Sequence, residues 1–599
     1  MAQQLIRAQV PQEQTWNLAD LYPSRADWEL AMAAIERDIA TVTQYKGRLG
    51  EGARVLLACL TAQEALYERL LRAATYGELL MAQDGSDPAN QEAADRAGAL
   101  VARAQAEMSF VRSEMLALPD GTVARYLTEE PGLSSLRRFI EKMLAEKPHM
   151  LLPETEEVLA GLGEVLGAPT TIYLRTKAGD ITFPPATDSA GQEVAISFAR
   201  YEEEYETLPD VTLRRSAFAA FSQGLEGYKN ALGATFATEV KKNVVLARAR
   251  KYPSATHMLL AGQEVEPEIY HNLLDVIQRD LAPHMRRYAA LRKRVLGLDK
   301  LLYCDIEAPM DPEFQPSISY AEASELIIGA MSVMGKEYTD IVRAGLKERW
   351  VDWCDNAGKS TGAFCTTPYG AHPFILCTWT DNMRSAFTLA HELGHAAHGI
   401  LTEQNQRLAN ADVSLFFVEG PSTICELLLA EHIMASSNDV RMRRWVIMQT
   451  LQTYHHNFVR HLLEGELQRR MYAQAEEGQP ITAATLTAIK GEILSQFWGD
   501  AVEIDEGARL TWMRQPHYYM GLYPYTYSAG LTTSTAVAQM IKEQGQPAVD
   551  RWLKALKAGG SLKPLELARL AGVDMATAYP VRRAVAYVGG LVSELEKSF

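Results

Sequence analysis

The sequence predicts a mainly α-helical protein carrying one small antiparallel β-sheet. Three observations predict it. Apolar residues recur at three- and four-residue steps over most of the chain, as in "WELAMAAIERDIATVTQY" (28–45) and "ANQEAADRAGALVARAQAEMSFVRSEMLAL" (89–118). That is the period of a helix with one buried face. Alanine, leucine and glutamate fill those segments, and all three favour helix. Only two stretches alternate as strands do.

Taken in order, residues 1–200 read as an N-terminal helical domain. Its one strand-like stretch, "TIYLRTKAGDITFPPATDSAGQEVAIS" (171–197), alternates, contains turn residues and predicts a β-hairpin. "ARYEEEYETLPD" (199–210) follows as a charged helix with its glutamates in solvent, ended by a proline. The domain boundary falls there, and residues 201–599 form the second domain. Helical text covers 208–300, 318–346, 385–400, 413–475, 482–498 and the chain from about 530 onward. The second strand-like stretch, "TGAFCTTPYGAHPFILCTWT" (361–380), is rich in Phe, Thr and Ile and broken by Gly and Pro. It predicts the small sheet, set beside the helix that follows it.

A chain of 599 residues exceeds one simple core, which fits two domains. The formal charge of -16 argues against nucleic acid, which needs a basic face. No window reaches the ~18 consecutive apolar residues of a membrane helix. The opening "MAQQLIRAQVPQEQ" lacks the apolar core of a secretory signal. Six scattered cysteines form no C-x-x-C pair, so reduced thiols and a cytoplasmic location are expected.

The stretch "FTLAHELGHAAHG" (387–399) gathers three of the chain's 13 histidines. His391 and His395 are four apart, on one helix face and about 6 Å apart along the axis. Two imidazoles so spaced suit one tetrahedral zinc ion. Glu392 is turned ~100° away; it reaches a water beside the ion rather than the ion itself. This is the H-E-x-x-H pattern, with the glutamate as general base. His398 lies ~10 Å along the helix from His391, too far to share the ion, and is expected as a packed neighbour. A third ligand must come from another element. "DVSLFFVEGPSTICELLLAEH" (412–432) offers Glu419, Glu426 and Glu431. Glu419 and Glu426 sit in apolar text, where an unpaired carboxylate is costly. Spacing leaves these two as alternatives, one as ligand and the other holding a histidine in place.

"TLAHELGHAAHG" with "FFVEGPSTICE" resembles the thimet oligopeptidase and oligoendopeptidase F family of zinc peptidases. "HPFILCTWT" and the early "WNLADLYPS" are similar to the oligoendopeptidase F branch. The resemblance implies that His391, His395 and Glu419 bind one zinc ion per chain, that Glu392 is the general base, and that Glu426 supports the ligands from behind. It implies two helical lobes enclosing a deep substrate channel, and endopeptidase action on short peptides. "WMRQPHYYMGLYPYTYSAG" (512–530) resembles the family's late histidine–tyrosine loop. His517 is thereby expected to stabilise the oxyanion, together with Tyr525 first, then Tyr527 and Tyr523. "LCTWTDN" departs from the branch's usual continuation, which puts subsite preference in doubt. The strand around Phe374–Thr378 is expected to hold substrate by strand addition.

Short peptides are the expected partners; nucleic acid and membranes are not, and both monomer and homodimer stay open. A dipeptidyl carboxypeptidase and a non-catalytic helical peptide-binding protein are the other readings. Retention of Glu392 argues against the second. His455, His456 and His461 lack the i, i+4 spacing and read as structural or surface residues.

Overall fold

The computed structural model describes residues 5–599. The first four residues of the opening stretch, on which the absence of a signal was read, lie outside them. Helix accounts for 73% of the chain and strand for 3%, so the predicted class holds. No helix among the described residues is long and apolar enough to cross a membrane.

The chain divides into two compact units, each built from three separate segments. The first takes residues up to Pro148, Pro316–His432 and Val537–Gly572. The second takes His149–Gln315, Ile433–Ala536 and Val573–Phe599. Compactness therefore divides the molecule along other lines than a single cut at 200.

In the first unit, Ala53–Gln83 and Pro88–Met108 form a long helical hairpin. Asp87 caps the second helix by accepting from the Ala89 backbone N–H at 2.8 Å. Trp28, Leu56, Leu66 and Met115 pack in one core with Phe374 and Leu376.

The strand-like stretch at 171–197 yields a hairpin only in its second half. Residues Gly163–Arg175 are helical, and Thr176–Asp180 add a π-turn. Tyr173 is buried there with its hydroxyl donating to the Met513 carbonyl, so packing overrides local alternation. Strands β1 (Ala186–Thr187) and β2 (Glu193–Val194) then pair antiparallel.

In the first unit, β4 (Phe364–Thr366) pairs antiparallel with β5 (Phe374–Leu376), with Cys365 opposite Ile375. A further strand, β3 (Val351–Asp352), runs parallel along the other edge of β5. It was invisible in the sequence because it is two residues long. The far side of β3 is covered by residues 14–17: Trp353 N–H donates to the Gln14 carbonyl and Asn17 N–H to the Arg349 carbonyl. The expectation that β5 takes a substrate strand is corrected here. Both its edges are paired, and the edge left is that of β4.

The second unit is wound around Val211–Ala249 and Pro267–Val295. Near them, Val440–Tyr454 and His461–Glu476 are joined through a π-helical turn, His455–Arg460.

Candidate functional site

The helix Met383–Glu403 starts at Asn382, whose side chain accepts from the Ser385 N–H at 3.0 Å. Two of its glycines let neighbouring segments approach. A Cβ at Gly394 would overlap the Pro421 carbonyl oxygen and stand 2.8 Å from Ser422 Cα. One at Gly399 would overlap the Thr367 side chain. These contacts press the helix against the segment that begins the helix Gly420–Ser436 and against the end of β4.

That close approach brings Glu419 to the two histidines. Its Oε2 lies 3.5 Å from Nε2 of His391 and 3.5 Å from Nε2 of His395. All three donor atoms lie within 4.8 Å of one another. Two ligands ~2.0–2.1 Å from a tetrahedral zinc ion stand about 3.4 Å apart, so the spacing fits that ion. Ser422 Oγ donates to Glu419 Oε2 at 3.0 Å and steadies the carboxylate. His391 Nδ1 is 2.7 Å from Glu426 Oε1. A proton on Nδ1 then goes to Glu426, which leaves the Nε2 lone pair for a cation. Of the three carboxylates that the segment offers, Glu419 joins the cluster, Glu426 stands behind His391, and Glu431 pairs with Lys542.

The electrostatics demand positive charge at this place. Burial would push the His391 imidazole down, yet its bonds to Glu419 and Glu426 outweigh that and hold it well above its usual range. Burial would push Glu419 up, but His391 and His395 hold it well below the usual carboxylate range. A proton on the imidazole answers that demand, and a cation held there would answer it too. Glu392 is buried, and burial raises its pKa. It is not one of the three converging groups. His398 is buried against Phe417, its Nε2 has no hydrogen-bond partner among the described residues, and burial holds it neutral, down to about 3.

His517 and the tyrosines lie in the second unit. His517 stacks on Tyr523 with ring centroids 5.4 Å apart. Its Nε2 is 3.5 Å from the Tyr527 hydroxyl, and its Nδ1 is 3.2 Å from Gln515 Oε1. Burial and then Lys177 push its pKa down to about 4. Tyr525, the first choice from the sequence, is fully buried, and its hydroxyl donates to Gln263 Oε1 at 2.7 Å.

Sequence reasoning missed two groups. Glu206, read as part of a solvated face, is 6% exposed and accepts from Arg460 and Arg514 at 3.0 and 2.9 Å. Its partners lie more than 250 residues away, so no local signal marked it. His461, read as structural or surface, is buried beside His517 and Tyr527, with the exposed His456 at its edge.

The model described as Peptidase family M3 matches residues 205–587, and that described as Oligopeptidase F matches 114–183. Oligopeptidase PepF of Bacillus subtilis (strain 168) is 32% identical over 591 residues, covering 99% of this chain and 88% of its own length. An oligoendopeptidase F homolog of Lactococcus lactis subsp. lactis is 27% identical, covering 99% and 98%. The crystal structure of oligoendopeptidase-F from Enterococcus faecium superposes with a TM-score of 0.75 at 27% identity, covering 96% of this chain and 99% of that one. With the family model spanning well over half of its length, the chain belongs to peptidase family M3 and is a metallo-oligopeptidase.

Proposed function

We propose that this protein is a zinc-dependent endopeptidase that hydrolyses internal bonds of short oligopeptides. The observation that carries the reading is the convergence of His391, His395 and Glu419 at tetrahedral spacing beside the buried Glu392. The name oligoendopeptidase F, carried by the Lactococcus lactis relative and the Enterococcus faecium structure, supports the endopeptidase class.

Zinc held by these three residues is a Lewis acid that activates water and polarises the scissile carbonyl. The chain's own groups do the rest. Glu392 takes the proton of the attacking water and returns it to the leaving amine. Its burial raises its pKa, which makes it a stronger base toward the proton of the water. Glu426 fixes the His391 tautomer. His517 and Tyr527 are the proposed donors to the developing oxyanion, each contributing about 2–4 kcal/mol if aligned. Tyr523 supports the His517 ring by stacking. Tyr525, with its hydroxyl engaged by Gln263, serves the fold of the loop. The unpaired edge of β4 is the proposed place for the substrate backbone. All six cysteines are free, which supports a reducing, cytoplasmic compartment. Residues 201–599 are the proposed catalytic domain, a division supported by the limits of the family match.

The test uses Glu392→Gln and a quenched fluorescent peptide blocked at both ends. The wild type cleaves the blocked peptide, which a carboxypeptidase does not. The variant keeps its metal by elemental analysis and loses about 10²–10⁴-fold in kcat. A variant with full activity would overturn the assignment.

A further inference from the structure

His456 and His461 are five residues apart. On an α-helix that spacing turns two side chains ~140° apart. The π-helical turn His455–Arg460 removes the difference, and the two Nε2 atoms lie 3.1 Å apart. One imidazole donates and the other accepts. His461 Nδ1 is buried and has no hydrogen-bond partner among the described residues, which leaves Nε2 as its one anchor. Burial, then His456 and His517, hold His461 well below the usual imidazole range. His456 itself is exposed to solvent.

The anchored ring touches both proposed oxyanion donors. It lies flat on Tyr527, with centroids 4.2 Å apart and planes 16° apart. It meets His517 edge to face at 4.9 Å and 79°. The frame around it is fixed as well. Glu206 Oε1 accepts from Arg460, which ends the π-turn, and from Arg514, three residues before His517. Arg514 also donates to Glu202 at 3.0 Å. One buried carboxylate thus ties the segment that bears His456 and His461 to the loop that bears His517.

We propose that His461 is a positioning residue for Tyr527 and His517. Its ring sets the tilt of the Tyr527 phenol and one wall of the His517 site, and the bond to His456 sets the ring. The inference rests on the reading that Tyr527 and His517 serve the reaction.

The experiment measures kcat and KM on the quenched peptide for the holoenzyme and for His461→Leu, His461→Phe, Tyr527→Phe, His517→Ala and the double variant His461→Leu/Tyr527→Phe. Zinc content and Tm are recorded for each. His461→Leu fills the volume without a flat ring, and is expected to lower kcat by about 10-fold or more with KM within about two-fold. His461→Phe restores the flat ring and recovers most of the loss. In the Tyr527→Phe background His461→Leu costs much less, because the hydroxyl it orients is gone. Zinc content stays that of the wild type throughout. The inference is overturned if His461→Leu leaves kcat unchanged, if its cost is the same in both backgrounds, or if His461→Phe is as impaired as His461→Leu. Should His461→Leu not fold, His461→Met takes its place under the same criteria. If Tyr527→Phe and His517→Ala are themselves fully active, the donor assignment falls and the inference falls with it. If they are impaired and His461→Leu is not, the inference alone falls.

Discussion

At the scale of single residues, the chemistry depends on groups whose partners lie far along the chain. Glu426 stands behind His391 at Nδ1, and its carboxylate selects which imidazole nitrogen would face an ion. Glu426→Gln should weaken zinc binding by about 10–100-fold, read by competition with a chelator. His398 gives a pH prediction. Unfolded, it takes a proton near 6.5; folded, it resists down to about 3. Its folded pKa is depressed, so the unfolded chain binds more protons below 6.5 and stability is lost as pH falls from there toward 3. Between pH 6.5 and 5 the loss is about 2 kcal/mol. His398→Phe should flatten that slope in urea denaturation curves taken at pH 7 and 5 on the metal-free protein. The ligand pair and Glu392 were legible in the sequence because helical periodicity alone puts His391 and His395 on one face. Glu206 was not, because its burial depends on Arg460 and Arg514, and no neighbour in sequence announces them.

At the scale of elements, two glycines decide how closely the metal-binding helix packs. Gly394→Ala places a methyl against the Pro421 carbonyl and Ser422 Cα, both backbone atoms of the segment that presents Glu419. It should destabilise the protein by about 1–3 kcal/mol and weaken metal binding in proportion. Gly227 lies in the helix Val211–Ala249 with nothing within 4 Å of its missing Cβ. Gly227→Ala should stabilise by about 0.5–1 kcal/mol, since it only narrows the unfolded ensemble. Denaturation midpoints of the two variants check both signs. The long helices were readable from their period, and so were β4 and β5. The π-turn was not: it differs from the α-helix by one residue in backbone spacing and leaves no compositional mark. The alternating text at 171–175 misled, because burial of Tyr173 outweighs a five-residue pattern.

At the scale of the molecule, the sequence carries the class through its dominant period and the family through its motifs. The division into units is the part it hides. Each unit gathers three distant segments, and neither composition nor turn signals mark where a chain leaves one unit for another. What the whole fold achieves for the chemistry is local: it brings a carboxylate 28 residues downstream onto the face that carries His391 and His395. The most direct test of that claim is anomalous scattering at the zinc edge from crystals of the protein. The account predicts a single strong peak about 2.0–2.2 Å from His391 Nε2, His395 Nε2 and a Glu419 carboxylate oxygen. Crystals grown with zinc that show no peak there, or a peak held by other residues, would contradict it.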